Sequence, residues 1–139
     1  MSYLIKLDRY KVVIDSIINT QNEIEMKEFM MIFRNDYNPN IKPSPEQLQA
    51  NVKKWQDWIG GIAAQGKFVG TNRLGFEGKT LNPNNVITDG PYTEIKEIIG
   101  GYIIVKSNTI DEALELAKNC PVLDIGGNVE VRDIMSITL

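Results

Sequence analysis

The chain has 139 residues, of which 42% are hydrophobic and 24% are charged, and its formal net charge is -3. This composition predicts one globular domain, and it lacks the basic field that attracts nucleic acids and anionic membranes. The sequence contains no histidine and a single cysteine, Cys120, which excludes imidazole catalysis, zinc sites with histidine ligands and an intrachain disulfide. We therefore expect no metal, no cofactor, and no nucleic-acid or membrane partner.

Residues 1–25 differ from the rest of the chain, because their apolar residues recur at roughly helical spacing and are followed by a polar break. The residues in question are Leu4, Leu7, Ile14, Ile17 and Ile18. The pattern predicts an N-terminal extension with one amphipathic helix, placed before a domain over residues 26–139. Both a docking helix and an artefact of start-codon choice stay open. Charged residues interrupt the apolar stretch, whereas a signal peptide has an uninterrupted apolar segment. We therefore predict a cytoplasmic location.

Residues 28–34 are apolar on both faces, as in a central strand. A helix follows: Ser44 is a good N-cap, Pro45 suits the first position, Gln47 completes a capping box and Gly66 is placed to end it. Its apolar residues fall on one face: Leu48, Val52, Trp55, Ile59 and Ile62.

The predicted helix contains two tryptophans and an internal pair of glycines. Trp55 is predicted to lie in the core, whereas Trp58 is a candidate for a pocket wall or a dimer interface. Gly60 and Gly61 weaken the helix by roughly 1 kcal/mol each relative to alanine. We expect close packing against another backbone to be the reason for them.

The second half of the chain alternates strands and turns and contains one more helix. Its predicted elements are a strand over 68–74, a loop or hairpin over 75–85, a short strand over 86–88, a strand over 101–105, a helix between Thr109 and Pro121, and a last strand around 129–131.

The predicted order from residue 26 is βαββαβ, which is typical of a ferredoxin-like α+β fold, an antiparallel sheet with both helices on one face. The strands at 29–33 and 102–105 are apolar on both faces. The face without helices would leave several large side chains in water, each costing roughly 1.5–3 kcal/mol of lost burial. A second sheet from an identical subunit covers that face most simply, so we predict a homodimer. The alternative is that the extension or the 75–85 loop folds across it.

The stretch from Val86 to Tyr102 contains Asp89-Gly90-Pro91 and, further on, Gly100-Gly101. It resembles the signature of the DGPF branch of the YCII-related family, with Tyr92 in place of a phenylalanine. Other segments resemble the opening strand, the second helix and the closing strand of that family, and they are Lys27–Ile32, Asp111–Ala113 and Gly126–Arg132. The resemblance covers about residues 26–133.

The resemblance implies a dimeric α+β barrel of ferredoxin-like subunits, in agreement with the argument from the strands. It implies little about activity, since most of the family has no established reaction and some members are associated with extracytoplasmic-function sigma factors. In another branch of the family, a histidine on the first helix and an aspartate before the proline that ends the second helix form the proposed active pair. Here there is no histidine, and Cys120 precedes Pro121, so that mechanism does not carry over.

Asp89 is the first candidate for a catalytic residue. A carboxylate beside apolar strand residues can have a raised pKa and exchange protons with a bound substrate. The competing interpretation is a turn, because Asp-Gly-Pro is good turn sequence and the aspartate can bond the backbone two residues on. The two roles are compatible.

Five further residues are candidates for ligand binding: Arg34, Arg73, Tyr92, Lys96 and Tyr102. The arginines stand at predicted strand ends, where a guanidinium can bind a carboxylate, and lysine can hold a carboxylate or an enolate. The tyrosine hydroxyls can hydrogen-bond a ligand. Surface pairing for the cations and packing for the tyrosines are the competing interpretations.

Two functions are consistent with these residues. The first is a homodimeric domain that binds a small organic ligand in a cleft near Asp89. The second is a cofactor-free enzyme, such as a lyase or isomerase, that acts on a small organic acid with Asp89 as proton carrier. Because no histidine or metal motif is present, the sequence favours binding slightly, and Cys120 is interpreted as an inert thiol.

Overall fold

The computed structural model describes residues 9–15, 17, 26–36, 41–90 and 97–137. Its strands are β1 (Lys27–Asp36), β2 (Phe68–Arg73), β3 (Lys79–Asn82), β4 (Val86–Asp89), β5 (Glu97–Ser107) and β6 (Asn128–Asp133). Its helices are α1 (Pro45–Ala64) and α2 (Ile110–Ala117), with 3-10 turns at Pro83–Asn85 and Pro121–Ile125.

Four strands form one antiparallel sheet in the order β2-β5-β1-β6, while β3 and β4 pair as a separate hairpin. With the hairpin set aside as an insertion between β2 and β5, this is the βαββαβ order of a ferredoxin-like fold. The predicted fold class is confirmed.

The two ends of α1 follow the predicted capping. The Gln47 amide donates to Ser44 Oγ at 3.2 Å, and the Ser44 amide donates to Gln47 Oε1 at 2.8 Å, so the capping box is complete. Gly66 adopts a φ of 70°, and the amides of Gly66 and Lys67 donate to the carbonyls of Ala63 and Ile62. This is a Schellman ending, which requires the left-handed conformation that glycine adopts readily.

The core lies between the sheet and the two helices. Alternate residues of β1 face the helices and are buried, namely Phe29, Met31 and Phe33. Their partners from the rest of the chain include Ile103, Val105, Trp58, Ile62, Ala113 and Ala117. Because side chains alternate along a strand, every strand residue of this core comes from one face of the sheet.

The opposite face of the sheet, here called the open sheet face, carries the other apolar residues of the central strands. Met30 pairs with Ile104 and Ile32 pairs with Tyr102 in the β1–β5 register. All four are only partly buried. The central strands are thus apolar on both faces, as predicted, and the helices cover one of them.

The helix α1 is rotated relative to the predicted stripe. Trp58 and Ile62 are buried, Trp55 is half-buried, and Leu48 and Val52 remain about half exposed. Trp55, which we predicted in the core, packs against it half-buried, whereas Trp58, which we predicted at a pocket wall or an interface, is a core residue that also lines a recess between α1 and α2. The reason is that α1 packs against α2 as well as the sheet, and the Trp58 indole donates to the Leu116 carbonyl at 2.9 Å.

The N-terminal part of the chain is described over 9–15 and 17, where the backbone is helical. Its apolar side chains Tyr10, Val13, Ile14 and Ile17 are each more than half exposed. Among the described residues, no helix is both long enough and apolar enough to cross a membrane.

Replacing Gly61 by alanine should stabilise the protein. Outside the helix's own backbone, a Cβ added at Gly60 or Gly61 meets no atom of the described residues within 4 Å, so these residues do not provide the close backbone packing that we expected there. Gly61→Ala should raise the free energy of unfolding by about 1 kcal/mol, measured by urea denaturation, because alanine loses less backbone entropy in a helix.

The matched control for this substitution is Gly101→Ala, since a Cβ at Gly101 would lie 2.8 Å from the Asn72 carbonyl oxygen. That variant should be destabilised because the β2 and β5 backbones must move apart. A stability unchanged or lowered by Gly61→Ala would contradict the prediction.

Cys120 should be unreactive in the folded protein. Its side chain is buried, and burial raises the pKa of the Cys120 thiol to about 11 from its ordinary value of 9.0. Because the thiolate is the nucleophile, alkylation by iodoacetamide at pH 8 should be at least roughly a hundredfold slower in the folded than in the urea-unfolded chain. Mass spectrometry measures both rates, and equal rates would contradict the burial.

The same pKa shift gives stability a pH dependence. The folded chain holds the thiol proton more tightly than the unfolded chain, so the contribution of Cys120 to the free energy of unfolding is lost as pH rises from about 9 towards 11. The variant Cys120→Ser should lack this component of the decline.

Candidate functional site

A cavity of about 390 Å³ opens between α1 and one end of the sheet, where β1 and β2 end and β5 begins. We call it the sheet-end cavity. Its apolar wall includes Phe33, Trp55, Ile59, Ile98 and Val122. Polar side chains at its edge include Asn35, Asn51, Gln56 and Arg73.

The lining of the cavity includes a glycine of β5 at a position that faces the helices. Ile103 and Ile98 on that face are buried, and Gly101 stands between them, beside a register irregularity at Gly100. A Cβ at Gly101 would lie only 2.8 Å from the Asn72 carbonyl oxygen, so the β2 backbone occupies the place of a side chain there. Glycine at this position therefore permits the close approach of β2, whose last residue lines the cavity.

Two aromatic rings, Phe33 and Trp55, line the cavity, and Trp58 packs against both of them. Phe33 meets Trp55 at 5.0 Å and Trp58 at 5.9 Å between ring centroids, and the two tryptophans are 5.7 Å apart, all edge to face. Trp58 is held by its hydrogen bond to Leu116, whereas Trp55 lines the cavity. The aromatic wall of the cavity is therefore apolar.

Arg73 is the charged side chain of this site. It is the last residue of β2, opposite Gly101 in the register, and it is exposed at the mouth. Within the described part of the chain, Arg73 is the one charged residue in the lining and forms no ion pair. A guanidinium in this setting can bind an anion through its two parallel N–H groups.

The hairpin, and not the cavity, holds Asp89. It is exposed at the end of β4, opposite Lys79, and is absent from the described lining. The next residue is fixed in the hairpin, since the Gly90 amide donates to the Gly78 carbonyl at 2.6 Å and Thr80 Oγ1 donates to the Gly90 carbonyl at 3.4 Å. The residues after Gly90 that would complete an aspartate turn lie outside the described residues.

Arg34 and Tyr102 lie on the open sheet face, on the other side of the sheet from Arg73. Arg34 forms an ion pair with Glu130 at 3.5 Å, and the Tyr102 hydroxyl accepts a hydrogen bond from Asn72 Nδ2 at 2.9 Å. Neither residue lines the sheet-end cavity. The structure therefore does not bring the two predicted arginines together.

Tyr92 and Lys96 lie outside the described residues. Of the candidates that are described, Arg73 alone lines the cavity.

Sequence reasoning missed the aromatic and carboxamide side chains of the site. Asn51 and Trp55 are four residues apart, so the sequence does indicate that they share one side of α1. The sequence does not indicate that this side faces a cavity, because the rotation of α1 about its axis depends on its packing against α2.

A second recess of about 770 Å³ runs along the outer surface between α1 and α2. It is shallower and more open to solvent, and its edges carry charges of both signs, including Lys54, Asp57, Glu112 and Glu115. The sheet-end cavity is the better candidate, because ligand sites are concave and mostly apolar with few polar groups.

A family model of the YCII-related domain matches residues 28–138. The match spans both helices, the hairpin and every residue named here as lining the sheet-end cavity. No curated protein matches the sequence significantly. Because the family model covers most of the chain, the protein belongs to the YCII-related family.

Proposed function

We propose that the protein is a homodimeric domain that binds a small organic ligand in the sheet-end cavity. The observation that carries the proposal is the cavity itself, with about 390 Å³ of space between apolar walls. Cavities of about 300–1,000 Å³ that combine apolar walls with few polar groups are typical of small-molecule sites. The Asp89-Gly90-Pro91 motif supports membership of the DGPF branch, and the single, buried cysteine supports a cytoplasmic location.

Binding is favoured over the enzymatic alternative by the residues around the cavity. The alternative needs Asp89 to carry a proton to or from the ligand, and Asp89 is exposed on the hairpin. A proton carrier must lie within hydrogen-bond reach of the substrate or one water away. The described lining offers Arg73 and neutral carboxamides but no carboxylate.

The open sheet face supports the homodimer. Met30, Ile32, Tyr102 and Ile104 form an apolar centre, and charges of both signs flank it, such as Arg34 and Glu130. A two-fold interface brings the same patch from both subunits together, so a patch with both signs is self-complementary. Burying each large side chain contributes roughly 1.5–3 kcal/mol.

The full chain should have twice its chain mass of 15.7 kDa in light scattering. Ile32→Lys places a charge at the centre of the open sheet face and should yield a folded monomer, with the fold checked by circular dichroism. Leu114→Lys is the matched control, because Leu114 is exposed on α2, and it should leave the dimer intact. A monomeric wild-type protein would contradict the homodimer.

Fragments that occupy the cavity should be visible through the two tryptophans. In ¹H–¹⁵N spectra of the full chain, a bound fragment should shift the Trp55 indole signal more than that of Trp58, whose N–H is held by Leu116. Val52→Phe crowds the mouth and should weaken binding by roughly tenfold. Val69→Phe adds the same group on β2 outside the described lining and should leave binding unchanged.

The variant Asp89→Asn distinguishes ligand binding in the cavity from the enzymatic alternative. It should leave the affinity of every fragment unchanged if the cavity acts alone, whereas a loss of affinity would favour the alternative in which Asp89 faces the ligand. A fragment library that never moves the Trp55 signal would contradict ligand binding in the cavity.

A further inference from the structure

We infer that the ligand of the sheet-end cavity is a small carboxylic acid with a ring-shaped apolar body, its carboxylate bound by Arg73 and its ring against the Phe33–Trp55 wall. This inference rests on the proposed function and names the chemical class that the function leaves open.

The charge of the site supports an anion. Arg34 is satisfied by Glu130 at 3.5 Å, whereas Arg73 forms no ion pair within the described residues. No described lining residue carries a negative charge, so a cationic ligand would meet Arg73 with nothing to offset the repulsion. The fork of a guanidinium matches the two oxygens of a carboxylate, which fixes the direction of the ligand as well as attracting it.

A single cation favours a carboxylate over a phosphate group. A phosphate monoester carries about 1.5 to 2 negative charges at neutral pH, and Arg73 offsets one of them. The remaining charge would lie beside Phe33, Ile98 and Trp55, where no described cation can pair with it. Charge placed against an apolar wall without a partner is costly, so a monoanion fits better.

The walls favour a small ring as the body of the ligand. The volume of about 390 Å³ lies near the lower end of ligand sites. A ring can add an edge-to-face contact to the Phe33–Trp55 pair, and it loses less conformational freedom on binding than an open chain. Asn51 and Gln56 are neutral donors and acceptors, suited to a hydroxyl or oxo substituent rather than to a second charge.

The test compares four probes that share one ring and differ in their polar group: benzoate, benzamide, benzylamine and phenyl phosphate. Each is titrated into the full chain while the Trp55 indole signal is followed. Benzoate should bind at least about tenfold more tightly than benzamide, the difference expected for a hydrogen bond to a charged group. Benzylamine and phenyl phosphate should both bind more weakly than benzoate.

Substitutions of Arg73 test whether this side chain causes the preference for benzoate over benzamide. Arg73→Gln should bind benzoate and benzamide equally, and Arg73→Lys should keep part of the difference because it retains charge but not the fork. Lys53→Gln is the matched control: it removes one positive charge from an exposed position of α1 outside the described lining, and it should preserve the difference.

Other outcomes overturn the inference without deciding the proposed function. Benzamide binding as tightly as benzoate, or Lys53→Gln acting like Arg73→Gln, would show that Arg73 does not select a carboxylate, although the cavity still binds. Tighter binding of phenyl phosphate would assign the site to phosphate esters. If none of the four probes moves the Trp55 signal, the class is wrong, and the fragment library decides separately whether the cavity binds ligands at all.

Discussion

The edge-to-face cluster of Phe33, Trp55 and Trp58 is the interaction on which the rest of the structure depends. Phe33 belongs to the central strand β1, both tryptophans belong to α1, and the Trp58 indole donates to the Leu116 carbonyl of α2. One cluster therefore fixes α1 against the sheet and against the second helix. Aromatic pairs contribute about 0.5–1.5 kcal/mol beyond the area they bury, and a buried indole N–H needs an acceptor. The observed rotation of α1 meets both requirements.

The two faces of the sheet serve different purposes, and β5 contributes to both. Ile103 and Val105 enter the core under the helices, while Tyr102 and Ile104 lie on the open sheet face. Gly101 interrupts the helix-facing row, and the absence of a Cβ there lets the β2 backbone approach β5 closely beside the sheet-end cavity. The cavity is lined by residues of β1, β2 and β5, so a ligand there would contact the ends of paired strands.

The candidate site was predictable in part, and each outcome has a physical reason. Arg73 is the last residue of β2, and the predicted strand had already placed it at a strand end. Asp89 belongs to a hairpin that pairs with itself, so its neighbours are Lys79 and the hairpin backbone rather than the cavity. Arg34 is also at a strand end, but the alternation along β1 turns it to the open sheet face beside Glu130. Strand ends are visible in a sequence, whereas the face toward which an end residue points depends on the register.

The sequence by itself determined the local structure of this protein. Ser44, Gln47 and Gly66 set the ends of α1 because capping needs only neighbouring residues. The residues of β1 and β5 likewise predicted central strands that are apolar on both faces. Only the tertiary structure decided which tryptophan is buried, which arginine meets the cavity and where Gly101 lets β2 approach β5. Those outcomes depend on how α1, α2 and the sheet pack together. The sequence of one element shows only its own spacing pattern, and that pattern does not reveal contacts with elements that are far away in the chain.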